Sequence, residues 1–184
     1  TEKIFNKYNK KYSFIKIVKV KNNKGYGYGI LTGLNSSSGD IIGWTHADLQ
    51  CNPLDVINAI KLFEKHGSNI FVKGKRFGRP FGDRLFTFFM SMFETILLRK
   101  LMSDINAQPT LFPRTFYEKW KNPPHDFALD LYAYHLAIKY NVKIHKSPVF
   151  FKNRTYGQSH WNISFSEKYK FIKRTISFSI KLIK

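Results

Sequence analysis

The stretch GDIIGWTHADLQCNP, residues 39–53, sets His46, Asp48 and Gln50 at alternate positions just past an apolar run. A carboxylate with an imidazole two residues before it suits a divalent cation that bridges phosphates, because Mg²⁺ and Mn²⁺ favour oxygen ligands and tolerate some nitrogen. The same residues would also serve as an ordinary turn or helix-capping cluster ahead of Pro53. What favours the chemical reading is the element before them, since ligands of open α/β sheets bind beyond the carboxyl ends of strands.

The elements follow from periodicity. FIKIVKV, residues 14–20, alternates apolar and basic side chains and ends at Asn22, Asn23 and Gly25, which reads as strand and turn. A loop from Gly25 enters a short helix that ends near Ser38, and DIIGWT is a second strand. A helix begins near Pro53, with Leu54, Ile57, Ile60, Leu62 and Phe63 as its apolar stripe, and stops at His66 and Gly67 before a third strand, NIFVKG. Strands alternating with helices predict parallel pairing in an α/β sheet. Beyond a loop with Arg76, Arg79 and Arg84 comes an apolar helix, residues 85–98, then an irregular stretch INAQPTLFPR. A helix over 126–140, the strand VKIHKSPVFF and the loop KNRTYGQSHW follow. The tail, residues 165–184, spaces Phe165, Tyr169, Ile172, Ile176, Ile180 and Ile183 helically among lysines and reads as a basic amphipathic helix. The expected organisation is one domain over 1–164 followed by that helix.

Composition bounds the function. The chain has 184 residues, 43% of them hydrophobic, which is enough for one core. Cys51 is the only cysteine, so an intramolecular disulfide and a thiolate zinc cluster are both excluded, and a cytosolic setting is expected. The formal charge of +19 invites a nucleic-acid reading, but the lysines run from end to end rather than in one patch, so no specific nucleic acid is expected. A solvated surface that leans on anionic lipid fits better. The apolar helix over 85–98 spans roughly 21 Å, short of the roughly 30 Å hydrocarbon core, so it is expected to be buried or interfacial rather than membrane-spanning.

Taken in order, GYGYGI, GDIIGWTHADLQCNP, GKRFGR, LFPR, DFALDLY and RTYGQS resemble the family 2 glycosyltransferases, in the branch similar to dolichol-phosphate mannosyltransferase and bacterial polyprenyl-phosphate glycosyltransferases. The resemblance runs from about Phe14 to Trp161. It implies a GT-A-like α/β fold with a mixed, mostly parallel sheet flanked by helices. It also implies a nucleotide-sugar donor, Mg²⁺ or Mn²⁺ on the diphosphate, inversion at the sugar carbon, and a polyprenyl-phosphate or glycan acceptor. Asp48 matches the second aspartate of the family's Asp-Ala-Asp motif and Gln50 the glutamine after it, while His46 replaces the first aspartate. That exchange removes one negative charge and would weaken Mg²⁺ or favour Mn²⁺.

By the same resemblance, Arg76 and Arg84 match phosphate-binding arginines, and Arg154, Gly157 and Ser159 match the Arg-x-x-Gly-x-Ser loop. Guanidinium suits that role, because its planar fork meets phosphate oxygens with two parallel hydrogen bonds. Arg79 and Arg84 also fit as helix-flanking surface charges. Asp104, Asp126 and Asp130 are the carboxylates placed to act as a base, with Asp130 matching the acidic residue on the family's helix after the acceptor loop. A base is dispensable if the acceptor is a lipid phosphate, already an anion. Asp104 and Asp126 fit equally well as helix caps or arginine partners. Gly25, Gly27 and Gly29 read first as packing and turn residues.

The family's first strand-helix-strand unit, which grips the nucleobase, should precede Phe14, where about one helix is available. The expectation is therefore a GT-A-like domain lacking that unit, with exposed sheet surface that favours homo-oligomers. A noncatalytic scaffold of the same fold is the alternative, to which His46 lends weight.

Overall fold

The structure, a computed structural model, describes residues 2–48, 50–152 and 165–183. Its helices are α1 (Glu2–Lys11), α2 (Tyr26–Ser36), α3 (Leu54–His66), α4 (Phe81–Leu98), α5 (Arg114–Tyr117), α6 (Leu129–Lys139) and α7 (Phe165–Ile183). The strands β1 (Ile41–Trp44), β2 (Ile70–Phe77), β3 (Thr110–Pro113) and β4 (Lys143–Phe150) form one mixed sheet in the order β1-β3-β2-β4.

The strand period of two sorts this sheet into two cores. Ile42, Trp44, Phe71 and Phe112 face the larger core, with Leu31 and Leu34 of α2, Leu98 of α4, and Leu129, Tyr132 and Leu136 of α6. Their neighbours Ile70, Val72 and Leu111 face the other side, against Ala59 and Phe63 of α3. Local chemistry sets the ends of α3. Asn52 Oδ1 accepts the Leu54 N–H at 3.0 Å, Asp55 Oδ2 accepts the Asn52 N–H at 3.1 Å, and Gly67 takes φ 85° to end the helix.

The structure corrects three expectations. Residues 14–20 form no strand; Phe14 is 83% exposed and Ile17, Val18 and Val20 are exposed too, because among the described residues no neighbouring strand offers this alternating segment a ladder. The stretch expected to be irregular contains β3, which is short, follows Pro109 and ends with Pro113. That strand also intervenes between β1 and β2, so these two do not pair: β3 is antiparallel to both, and the parallel ladder is β2 with β4. Three of the four strands still point the same way, which leaves their carboxyl ends along one edge.

Helix α4 packs inside out. It buries Ser91, Glu94 and Leu98 and exposes Phe81, Leu85, Phe88, Phe89, Met92 and Ile96. The buried side meets α7, where Ser179 Oγ lies 2.8 Å from Glu94 Oε1, and Phe178 and Leu182 reach the main core. Among the described residues no helix is long and apolar enough to cross a membrane.

Candidate functional site

The loop after β1 is shaped by its own polar side chains. Asp48 Oδ1 accepts the Gln50 N–H at 3.2 Å. Gln50 then ties the loop to the end of β4, donating from Nε2 to the Lys152 carbonyl at 3.2 Å and accepting the Lys152 N–H at 2.9 Å. Phe151 fills the space between, its ring 6.0 Å from that of His46 and 5.7 Å from the Arg76 guanidinium. Arg76 Nε in turn lies 3.4 Å from Asp104 Oδ1. Asp104 is held at φ 52° in a turn closed by the Ala107 N–H on its carbonyl at 2.8 Å.

Beneath this edge lies a buried polar network that the sequence did not reveal. Lys73 Nζ meets Asp130 Oδ1 at 2.9 Å and Thr110 Oγ1 at 2.9 Å, and Tyr26 donates its hydroxyl proton to Asp130 Oδ2 at 2.9 Å. Gln108 Nε2 donates to the Tyr26 oxygen at 2.6 Å. Glycines let these elements close up: a Cβ on Gly27 would stand 2.5 Å from the Pro124 carbonyl oxygen, and one on Gly74 would stand 2.4 Å from that of Gln108. Burial pushes the Tyr26 hydroxyl well above the usual phenol range, with the Asp130 charge adding to it. Burial likewise lowers Lys73, against the pull of Asp130. The one sequence signal was a lone lysine inside the apolar run IFVKG.

The residues expected to act therefore divide. His46, Asp48, Gln50, Arg76 and Asp104 lie on connected elements at the strand ends. Asp130 is 1% exposed with both oxygens engaged, so in this arrangement it has no face open to an acceptor. Asp126 caps the turn into α6, accepting the Ala128 N–H at 2.9 Å, and lies 3.7 Å from Arg174 of α7. Arg79 is half-buried and donates to Thr87 of α4 at 3.0 Å, while Arg84 is exposed in the first turn of α4, where its charge bears on Arg79. Arg154, Gly157 and Ser159 lie outside the described residues. Gly25 and Gly27 approach the 124–126 backbone closely and fit the packing role, whereas Gly29 has open space at its Cβ.

The donor set of His46, Asp48 and Gln50 offers the atom types that a divalent cation takes. His46 Nε2 is buried without a hydrogen-bond partner among the described residues, and burial keeps the imidazole below its ordinary value, in the neutral form that ligates metal. It does not fit an all-protein cage, since among the described residues no three of His, Cys, Asp and Glu converge.

Comparison with known proteins now bears on this edge. The family model for glycosyl transferase family 2 matches residues 1–113, which include the glycine turn, the His46–Gln50 loop, Arg76 and Asp104. The chain belongs to that family. Its mixed sheet flanked by helices is consistent with a partial GT-A-like domain, and membership carries glycosyltransferase chemistry with a nucleotide-sugar donor and an acceptor in general terms. No curated protein matches the chain.

Proposed function

We propose that this glycosyltransferase chain moves a sugar, with inversion, from a nucleotide-sugar donor to a polyprenyl phosphate, in the manner of the enzymes similar to dolichol-phosphate mannosyltransferase, with a glycan as the second acceptor class. The observation that supports it is the lacing of the Asp48–Gln50 loop to the end of β4, with Arg76 and Asp104 beside it. Asp48, Gln50 and His46 are the residues to hold Mg²⁺ or Mn²⁺, which when bound neutralises the charge that builds on the departing diphosphate. Arg76 binds a phosphate oxygen through its guanidinium. In the transfer the acceptor oxygen forms its bond to the anomeric carbon as the bond from that carbon to the diphosphate oxygen breaks.

Asp104, with its side chain 17% exposed against 2% for Asp130, is the carboxylate to take a proton from a glycan hydroxyl; a lipid phosphate needs none removed. Asp130 acts as a positioning residue, fixing Lys73 and Tyr26 under the site. A lipid acceptor is favoured by the exposed apolar stripe of α4 and the basic residues of α7, which suit a peripheral seat on an anionic, cytoplasmic membrane face.

Calorimetric titration of UDP-sugars and GDP-sugars into the chain, with Mn²⁺ and with EDTA, tests this reading beside Asp48→Ala. Binding that requires both the metal and Asp48 supports it and names the nucleotide. Donor binding that ignores both removes the metal loop from the mechanism, and absence of any donor binding leaves a noncatalytic scaffold of the same fold.

A further inference from the structure

A cleft of about 390 Å³ opens between α2 and the chain that follows β3, within the size range of small-ligand sites. Tyr28, Thr32 and Asn35 line it from α2, and Tyr117, Pro123 and His125 line it from the other side. It extends away from the strand-end edge. Tyr26, at the start of α2, bonds Asp130 beneath that edge, whereas Asn35, near the end of α2, meets Tyr117 at the opposite end of β1. There the Arg114 N–H and guanidinium hold the Asp40 and Gly39 carbonyls at 2.7 and 2.9 Å, and Tyr117 lies one turn further along α5.

Both walls are fixed by contacts of their own. The Tyr28 N–H donates to the His125 carbonyl at 3.0 Å, and the two rings meet edge to face at 5.2 Å. Tyr117 packs against Trp120 and Phe112, with ring centres 5.0 and 6.4 Å away, and donates its hydroxyl proton to Asn35 Oδ1 at 2.7 Å. That bond engages the Asn35 oxygen and leaves its two amide N–H donors without a partner among the described residues. Thr32 and Ser36 donate to carbonyls of their own helix at 2.7 and 2.9 Å, and each keeps oxygen lone pairs able to accept. Among the described residues that line the cleft there is no Asp, Glu, Lys or Arg. Lys24, 5.1 Å over the Tyr28 ring, and Lys16, on the Ser36 carbonyl, stand outside the lining.

We infer that this cleft is a binding site for a neutral saccharide, separate from the strand-end edge. Its occupant has to offer an apolar face to Tyr28 and Tyr117, acceptors to the Asn35 amide, and donors to the Thr32 and Ser36 oxygens. A pyranose does all three. The C–H bonds on one face of the sugar ring carry the slight positive charge that suits the negative face of a phenol ring, and its hydroxyls both donate and accept. An anion finds no counter-charge in the lining. An alkyl chain would cover the Asn35 amide without pairing it, which costs binding free energy. The site goes beyond the donor and acceptor reading and does not depend on it.

The test is titration of the methyl glycosides of glucose, galactose, mannose and N-acetylglucosamine into the ¹⁵N-labelled full chain, followed by amide chemical shifts, with no nucleotide or metal present. At least one glycoside should give saturable shifts at Tyr28, Asn35 and Tyr117 below about 50 mM, while the amides of Asp48 and Gln50 stay in place. Asn35→Ala should weaken that binding about fivefold or more, and Tyr28→Ala about tenfold. Asn35 is exposed, so should Tyr28→Ala unfold, Asn35→Ala decides alone. No glycoside shifting these amides by about 50 mM, shifts confined to the strand-end loop, or equal binding by wild type and Asn35→Ala overturns the site. Cyclohexanol, which has an apolar ring and a single hydroxyl, should bind more weakly than the glycoside; equal or tighter binding overturns the saccharide assignment.

Discussion

Lys73 and Asp130 meet at 2.9 Å with side-chain exposures of 0% and 2%, joining the centre of the sheet to the first turn of α6. Two charges taken from water are held there by each other and by Thr110 and Tyr26. Removing one partner strands the other without solvent, at a cost of about 3–5 kcal/mol. Lys73→Met and Asp130→Asn should each lower the unfolding free energy measured by urea titration by an amount in that range, whereas Lys73→Met combined with Asp130→Leu should recover part of the loss. A double variant as unstable as the sum of the singles would show that the two sites are not coupled.

A second prediction concerns the contact of α4 with α7. Glu94 is fully buried, and burial raises its carboxyl from the ordinary 4.5 to about 7, the Ser179 hydroxyl offsetting this in part. A raised folded-state value means that the stabilisation is complete below the unfolded value, near 4.5, and is lost as pH rises through about 7. The shift corresponds to about 3 kcal/mol over that window. Glu94→Gln should remove this component, so the stability difference between variant and wild type should grow from pH 5 to pH 8, in favour of the variant. Thermal unfolding across that range measures it; parallel curves would mean that Glu94 titrates normally.

These two residues also show where sequence reading stops. The existence of α3 and of β2 was legible, from helical spacing and from an apolar run between breakers, but the face α3 buries was not: Leu54, Ile57 and Ile60 of the expected stripe are exposed, and the buried residues are Ala59 and Phe63. The loop of His46, Asp48 and Gln50 was legible because its polar residues follow an apolar run directly. FIKIVKV has a strand's alternation, yet a strand exists only where another offers a ladder, and its own residues carry no record of a neighbour. β3 is the converse: short and bounded by prolines, it gains its strand from Ile41–Trp44 on one side and Val72–Lys73 on the other. Lys73, Tyr26 and Gln108 escaped for the same reason, since their partners are distant in the chain. Asp130 was noticed, but its burial was not, and burial separates a positioning carboxylate from an exposed one.

The glycine turn makes a prediction about geometry. Gly27 lies against the backbone of Pro124, His125 and Asp126, with the space for a Cβ occupied by carbonyl oxygens at 2.5 and 2.8 Å. Gly27→Ala should push α2 away from that segment and pull the Tyr26 hydroxyl off Asp130, costing about 1–3 kcal/mol. Tyr26→Phe removes the same hydrogen bond without moving the helix and should cost about 1 kcal/mol. Denaturant titration of both distinguishes the effects: a Gly27→Ala variant no worse than Tyr26→Phe would deny that the close approach matters.

The outward face of α4 yields the prediction with the widest reach. Phe88 and Phe89 are 61% and 51% exposed on a helix whose buried side holds Ser91 and Glu94, an arrangement that wastes apolar area in water. Because they contribute little to the fold, replacing both with Ser should leave unfolding stability within about 0.5 kcal/mol of wild type. If this face enters a lipid surface, each ring loses about 1.5–3 kcal/mol of burial, so partitioning onto vesicles that contain anionic lipid should fall about tenfold or more per residue. Lys173→Glu and Lys181→Glu, on α7, should weaken the same partitioning in proportion to the anionic lipid content and little at high salt, where the attraction is already screened. Sedimentation with vesicles measures all four substitutions. Unchanged partitioning of the Phe88→Ser, Phe89→Ser variant, with its stability intact, would mean that α4 does not meet lipid and that its apolar stripe belongs against protein.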